Sequence, residues 1–278
     1  MWKKYVLLFC AFCLLLSSVA QAQENQIAVT ILPLQAFADK ITGGTIPVMV
    51  AVPQGASPES YEPSPKEMES LSKASVYFSI GMPAEAIKIT PFLQENTKIV
   101  NLAQLVSANY PDLEINHERD PHIWLSIARS KFMVQTMCET LVEIYPNQKE
   151  VFEKNTAAFL QELDALDSYI KTSLKGIKDN KFIAFHPAFQ YFAEEYGLEM
   201  FSLEEHGHEA TVRQLEMRLQ LAKEKNIKVI FIQDEISSRQ ATAFADAVGG
   251  KVLKLSPLAY EYVNNMKAMT DVLAEVLK

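Results

Sequence analysis

Two histidines stand beside prolines. His122 follows Pro121 in Arg119-Asp120-Pro121-His122-Ile123-Trp124-Leu125-Ser126, and His186 precedes Pro187 in Phe185-His186-Pro187-Ala188-Phe189. Imidazole serves as metal ligand, general base or proton carrier. A neighbouring proline narrows the backbone, so less entropy is lost when the ring is fixed on a ligand. The same positions also read as polar loop residues with no ligand at all. Acidic groups gather at two further places. Asp234 and Glu235 follow the apolar run Ile227 to Ile232, and Glu204, Glu205 and Glu209 surround His206 and His208. A bound cation needs three or four such donors held in fixed directions. The Glu204–Ala210 stretch offers a secondary metal site, or a polar loop before the helix that starts near Thr211.

Apolar periodicity shows what must position these groups. Ile27–Leu32 and Ile46–Pro53 read as strands, and the Pro33–Ile41 stretch between them as a helix with Leu34, Phe37, Ala38 and Ile41 on one face. Ser64 and Pro65 mark a helix start. Strands follow around Ser75–Gly81 and Lys98–Leu102. Beyond Ser126 the pattern turns helical. Phe152, Phe159, Leu163, Leu166, Ile170 and Leu174 trace one apolar stripe along a helix roughly 40 Å long. Strand–helix alternation resumes at Lys181 and runs to a last helix at the C-terminus. Such alternation gives parallel sheets. The expected fold is α/β: two lobes, each a parallel sheet flanked by helices, joined by one long rigid helix. The boundaries expected are 1–22 for a leader, 23–145 for the first lobe, 146–178 for the linking helix and 179–278 for the second lobe. Ligands of parallel sheets bind at the carboxyl ends of strands, and His186, Asp234 and the Ser256-Pro257 loop all fall there. A cleft between lobes is the default place for a ligand.

The first 22 residues read as a secretory signal. Lys3 and Lys4 precede an apolar run from Tyr5 to Leu16, and Ala20-Gln21-Ala22 suits cleavage before Gln23. The run is short for a membrane span. The expected location is therefore outside the cytoplasm, periplasmic or extracellular, soluble after cleavage. Cys10 and Cys13 lie in the leader, leaving Cys138 alone and no internal disulfide. The net charge of −8 becomes about −10 without the leader's two lysines. An acidic surface disfavours nucleic acid.

Five stretches carry a resemblance: Pro53–Met68 with its Tyr61-Glu62-Pro63-Ser64-Pro65 loop, Asp120–Ser126, Phe185–Leu198, Val229–Ser237 and Gly249–Met266. In order and over nearly the whole chain after the leader, they resemble the zinc and manganese solute-binding receptors of ABC importers, on the zinc-receptor side. The resemblance implies one metal between two lobes, handed to a membrane permease by a monomeric receptor that is no enzyme. It makes His122 and His186 ligands. His186 stands where zinc-type receptors have histidine and manganese-type ones commonly glutamate. Glu59 occupies a position where the family usually has histidine. Two histidines and a carboxylate form an ordinary zinc set, and the mixture also suits Mn2+ or Fe2+. The family's late acidic ligand aligns with Ser256, a poor donor, which leaves Asp234 as the expected fourth ligand, with Glu235 or water as alternatives. The histidine-rich loop common in the family is reduced here to His117. An exported zinc hydrolase is the rival reading, because a three-ligand zinc with an open position activates water. No His-Glu-x-x-His helix or Gly-x-Ser-x-Gly elbow supports it.

Overall fold

The computed structural model describes residues 25–115, 118–205, 208–209, 211–235 and 239–278. The leader, His117 and His206 lie outside them.

The first lobe starts with β1 (Ile27–Val29), α1 (Leu32–Thr42) and β2 (Val48–Val50). The strands are shorter than the apolar runs, because Pro33 suits the first turn of a helix and starts one at Leu32. Gly43 ends α1 in the left-handed conformation, φ 67°. Next come α2 (Pro65–Leu71), β3 (Val76–Ser79), α3 (Pro83–Lys88), β4 (Lys98–Asn101) and α4 (Leu102–Ser107). Ser64 and Glu67 cap α2 reciprocally. The strands pair in parallel in the order β2-β1-β3-β4. A small antiparallel pair, β5 (Glu114–Ile115) and β6 (Glu118–Arg119), leads into Asp120.

Two helices follow, α5 (Ile127–Ile144) and α6 (Lys149–Ser173). At 25 residues α6 is about 37 Å long. It buries Phe152, Phe159, Leu163, Leu166 and Ile170, the stripe read from the sequence.

The second lobe contains β7 (Lys181–Ala184), α7 (Gln190–Tyr196) and β8 (Glu199–Ser202). A hairpin of β9 (Glu204–Glu205) and β10 (His208–Glu209) precedes α8 (Val212–Glu224). Then come β11 (Val229–Gln233), α9 (Arg239–Ala247), β12 (Lys251–Leu255) and α10 (Tyr262–Leu277). Its parallel sheet has the order β12-β11-β7-β8. Gly250 is forced by packing, since a Cβ there would lie 1.9 Å from the Lys228 carbonyl oxygen.

One apolar core runs through both lobes and α6. Phe37 of α1 meets Phe159 of α6 at 5.7 Å and Tyr262 of α10 at 4.9 Å between ring centres. First lobe, linking helix and second lobe therefore meet in one packed layer.

Candidate metal centre

The loops at the strand ends bring three donors together. Glu59 comes from the loop after β2, where the Ser57 carbonyl accepts from the amides of Ser60 and Tyr61. His122 lies between β6 and a 3-10 turn at Ile123–Leu125. His186 follows β7 directly, where the Phe185 amide still donates to the Phe231 carbonyl at 2.7 Å and extends the sheet. Ligand atoms of Glu59, His122 and His186 all lie within 4.8 Å of one another, and the two histidines are buried.

The facing atoms are the Nε2 nitrogens, 3.3 Å apart. His186 Nε2 is 3.1 Å from Glu59 Oε1. Two donors on a tetrahedral zinc, each at its usual bond length, stand about 3.3 Å apart. The spacing and chemistry of this set therefore fit zinc. Each Nδ1 faces a carboxylate: His122 is 2.6 Å from Asp120 Oδ1, and His186 is 2.6 Å from Glu204 Oε2. Burial disfavours a charged His186, but Glu204 and Glu59 outweigh it and raise its pKa to about 9. Burial also works against a charged Glu59. The His186 hydrogen bond and the charges of His186 and His122 overcome that and hold it below the ordinary carboxylate range.

On one side the set opens to a groove of about 930 Å³ that includes Met82, Glu118, Arg119 and Glu204. Behind it a gap of only about 10 Å³ is lined by Trp124, Gln233, Pro257 and Leu258. Trp124 is buried, and its Nε1 donates to the Pro257 carbonyl at 2.8 Å. The back wall thus joins the two lobes.

Asp234 is not part of the cluster. Its carboxylate accepts from Ser256 Oγ and pairs with Lys254 at 3.4 Å. Gln233 is the last residue of β11 and lines the cavity, whereas the next residue, Asp234, is held by groups in and just after β12. Glu235 is likewise outside the cluster, and burial raises its pKa. Within the Glu204–Ala210 stretch, expected as a secondary metal site or a polar loop, Glu204–Glu205 and His208–Glu209 pair antiparallel as β9 and β10, and Glu204 stands against His186. Sequence reasoning missed Asp120 and Glu204 as partners of the histidines. The Asp-x-His spacing was the available signal for the first.

The model of the ZnuA family, described as zinc-uptake complex component A, periplasmic, matches residues 27–276. The zinc-binding lipoprotein AdcA of Streptococcus pneumoniae is 27% identical over 92% of this chain and 55% of its own length. The chain thus spans about half of that relative. The high-affinity zinc uptake system protein ZnuA of Bacillus subtilis is 26% identical over 94% of this chain and 90% of its own. A crystal structure of ZnuA superimposes with a TM-score of 0.85 at 34% identity, covering 91% of this chain and 99% of the other. The laminin-binding protein of Streptococcus agalactiae, described as a bifunctional adhesin and metal transporter, reaches a TM-score of 0.81 at 25% identity over 91% and 99% of the two chains. With its fold, its converging histidines and a family match across nearly every described residue, the chain belongs to the ZnuA family of periplasmic zinc-uptake components.

Proposed function

We propose that this chain is an exported receptor that captures a divalent transition metal, zinc first, and delivers it to the permease of an ABC importer. The observation that carries the reading is the convergence of Glu59 Oε1, His122 Nε2 and His186 Nε2, from loops of both lobes, at the spacing of zinc donors. Water completes the coordination, because Asp234 is engaged by Ser256 and Lys254. All three donors come from one chain, which supports a monomeric receptor holding one ion. Export follows from the leader at 1–22. Among the described residues no helix is long and apolar enough to cross a membrane.

A receptor of Mn2+ or Fe2+ is the second reading, favoured by the one hard carboxylate in the set. A zinc hydrolase has less behind it, because the proposed ion takes up both histidines and Glu59, and the neighbouring carboxylates of Asp120 and Glu204 are engaged with the histidine Nδ1 atoms. Competitive titration against a chelator tests the reading. The purified protein should take up one zinc per chain. His122→Ala and His186→Ala should each weaken it by more than the roughly 10–100-fold that outer partners of a metal ligand are worth. Unchanged affinity in both variants would sink the ligand assignment.

A further inference from the structure

Neither Asp120 nor Glu204 reaches the ion in this arrangement, yet each holds one of its histidines. Asp120 is fully buried. Its Oδ1 accepts from the His122 amide at 2.9 Å and faces His122 Nδ1 at 2.6 Å. One oxygen thus fixes both the backbone and the ring, with Pro121 between them. Glu204 opens β9, and its amide donates to the Phe185 carbonyl at 2.8 Å. That bond ties the hairpin to the residue before His186, while the Glu204 carboxylate faces His186 Nδ1 at 2.6 Å. Both contacts are short and charge-assisted.

We propose that Asp120 and Glu204 are positioning residues that set the preference of this site for zinc over manganese. The proposal rests on Glu59, His122 and His186 being the ligands. A carboxylate on Nδ1–H fixes the tautomer, aims the Nε2 lone pair at the ion and makes the ring more basic. A stronger nitrogen donor favours zinc more than manganese, which prefers oxygen. Glu59 acts in the other direction, as a hard oxygen in the set. Zinc preference is therefore restored from outside the coordination sphere, by two carboxylates that touch no metal.

The variants are Asp120→Asn and Glu204→Gln, which keep the shape and an oxygen acceptor but remove the charge. Affinities for zinc and for manganese are measured on each by chelator competition at one pH. The thermal midpoint of the metal-free protein is recorded alongside. Zinc affinity should fall about 10–100-fold per substitution. Manganese affinity should fall by clearly less, so the zinc-to-manganese ratio shrinks. A purely structural role would weaken both ions together and lower the midpoint. On wild-type protein labelled with 15N-histidine and loaded with zinc, both rings should show Nε2 ligation and a hydrogen-bonded Nδ1–H. An unchanged ratio in both variants, or ligation through Nδ1, would overturn the proposal and leave the receptor reading intact. A wild-type protein without zinc affinity would overturn both.

Discussion

His186 sets the cost of loading the site. Two carboxylates hold its pKa at about 9, so at pH 7 the metal-free ring is protonated. With Nδ1–H given to Glu204, the other proton sits on Nε2, beside the Glu59 carboxylate. In the proposed receptor, a zinc ion takes that proton's place. Loading at pH 7 should therefore release about one proton, and affinity should rise about tenfold per pH unit up to roughly pH 9. Calorimetry in buffers of different ionisation heat reads the proton count, and no release would contradict this state. Glu59 makes a second prediction. Glu59→His should widen the gap between zinc and manganese, and Glu59→Gln should weaken both ions, because an amide oxygen carries no charge. The two metal titrations check each direction. The histidines were legible because prolines flank them and a strand end carries one. Asp120 was adjacent and overlooked. Glu204 was beyond reach, because only the β7–α7–β8 crossover and the hairpin after it bring a residue 18 positions away onto His186.

The turn from β3 into α3 is held by a buried acid. Glu85 accepts hydrogen bonds from Thr30 and Tyr77 and from the backbone amides of Ile80 and Met82. Met82 lines the metal groove, so this cage also shapes one wall of the site. Gly81 belongs to the same turn at φ 72°, and a Cβ there would lie 2.4 Å from Arg119 Nη2. Burial raises the Glu85 pKa, with the four donors acting against it. The folded state thus keeps the proton longer than the unfolded chain. Stability from this group is fully present below the unfolded value of 4.5 and is lost as pH rises through the folded value. Glu85→Ala would strand the backbone amides of Ile80 and Met82, while Thr30 and Tyr77 keep each other and the Phe78 carbonyl as partners. At roughly 1–3 kcal/mol per orphaned buried donor, it should destabilise the fold by at least about 2 kcal/mol in denaturant melts. Loss of under about 1 kcal/mol would contradict the cage. At this scale the sequence revealed α6, α2 and the parallel alternation, whose signals are periodicity and caps. It overstated strand lengths, because apolar residues continue past the last paired position. It passed over β9–β10, whose residues are charged and carry no apolar alternation.

The two lobes are joined by more than the linking helix. Trp124 donates to Pro257 at 2.8 Å and accepts from Tyr262 Oη at 2.6 Å. Tyr260 donates to Asp39 at 2.9 Å, the Leu113 amide to Tyr191 at 3.1 Å, and the Ala128 amide to Glu195 at 3.1 Å. With α6 in the common core, a wide hinge swing would break all of these at once. Metal release should involve adjustment of the strand-end loops, and small-angle scattering with and without zinc should give matching radii of gyration. A large change would show that the lobes separate. The central claim is that one ion sits between the lobes on Glu59, His122 and His186. The direct measurement is a crystal structure of the metal-loaded protein, with anomalous data above and below the zinc and manganese edges. The account requires one zinc peak bonded to both Nε2 atoms and to the Glu59 carboxylate, with water in the remaining position. A Glu59 side chain turned to solvent, or an ion held by Asp234 and the histidines, would contradict it.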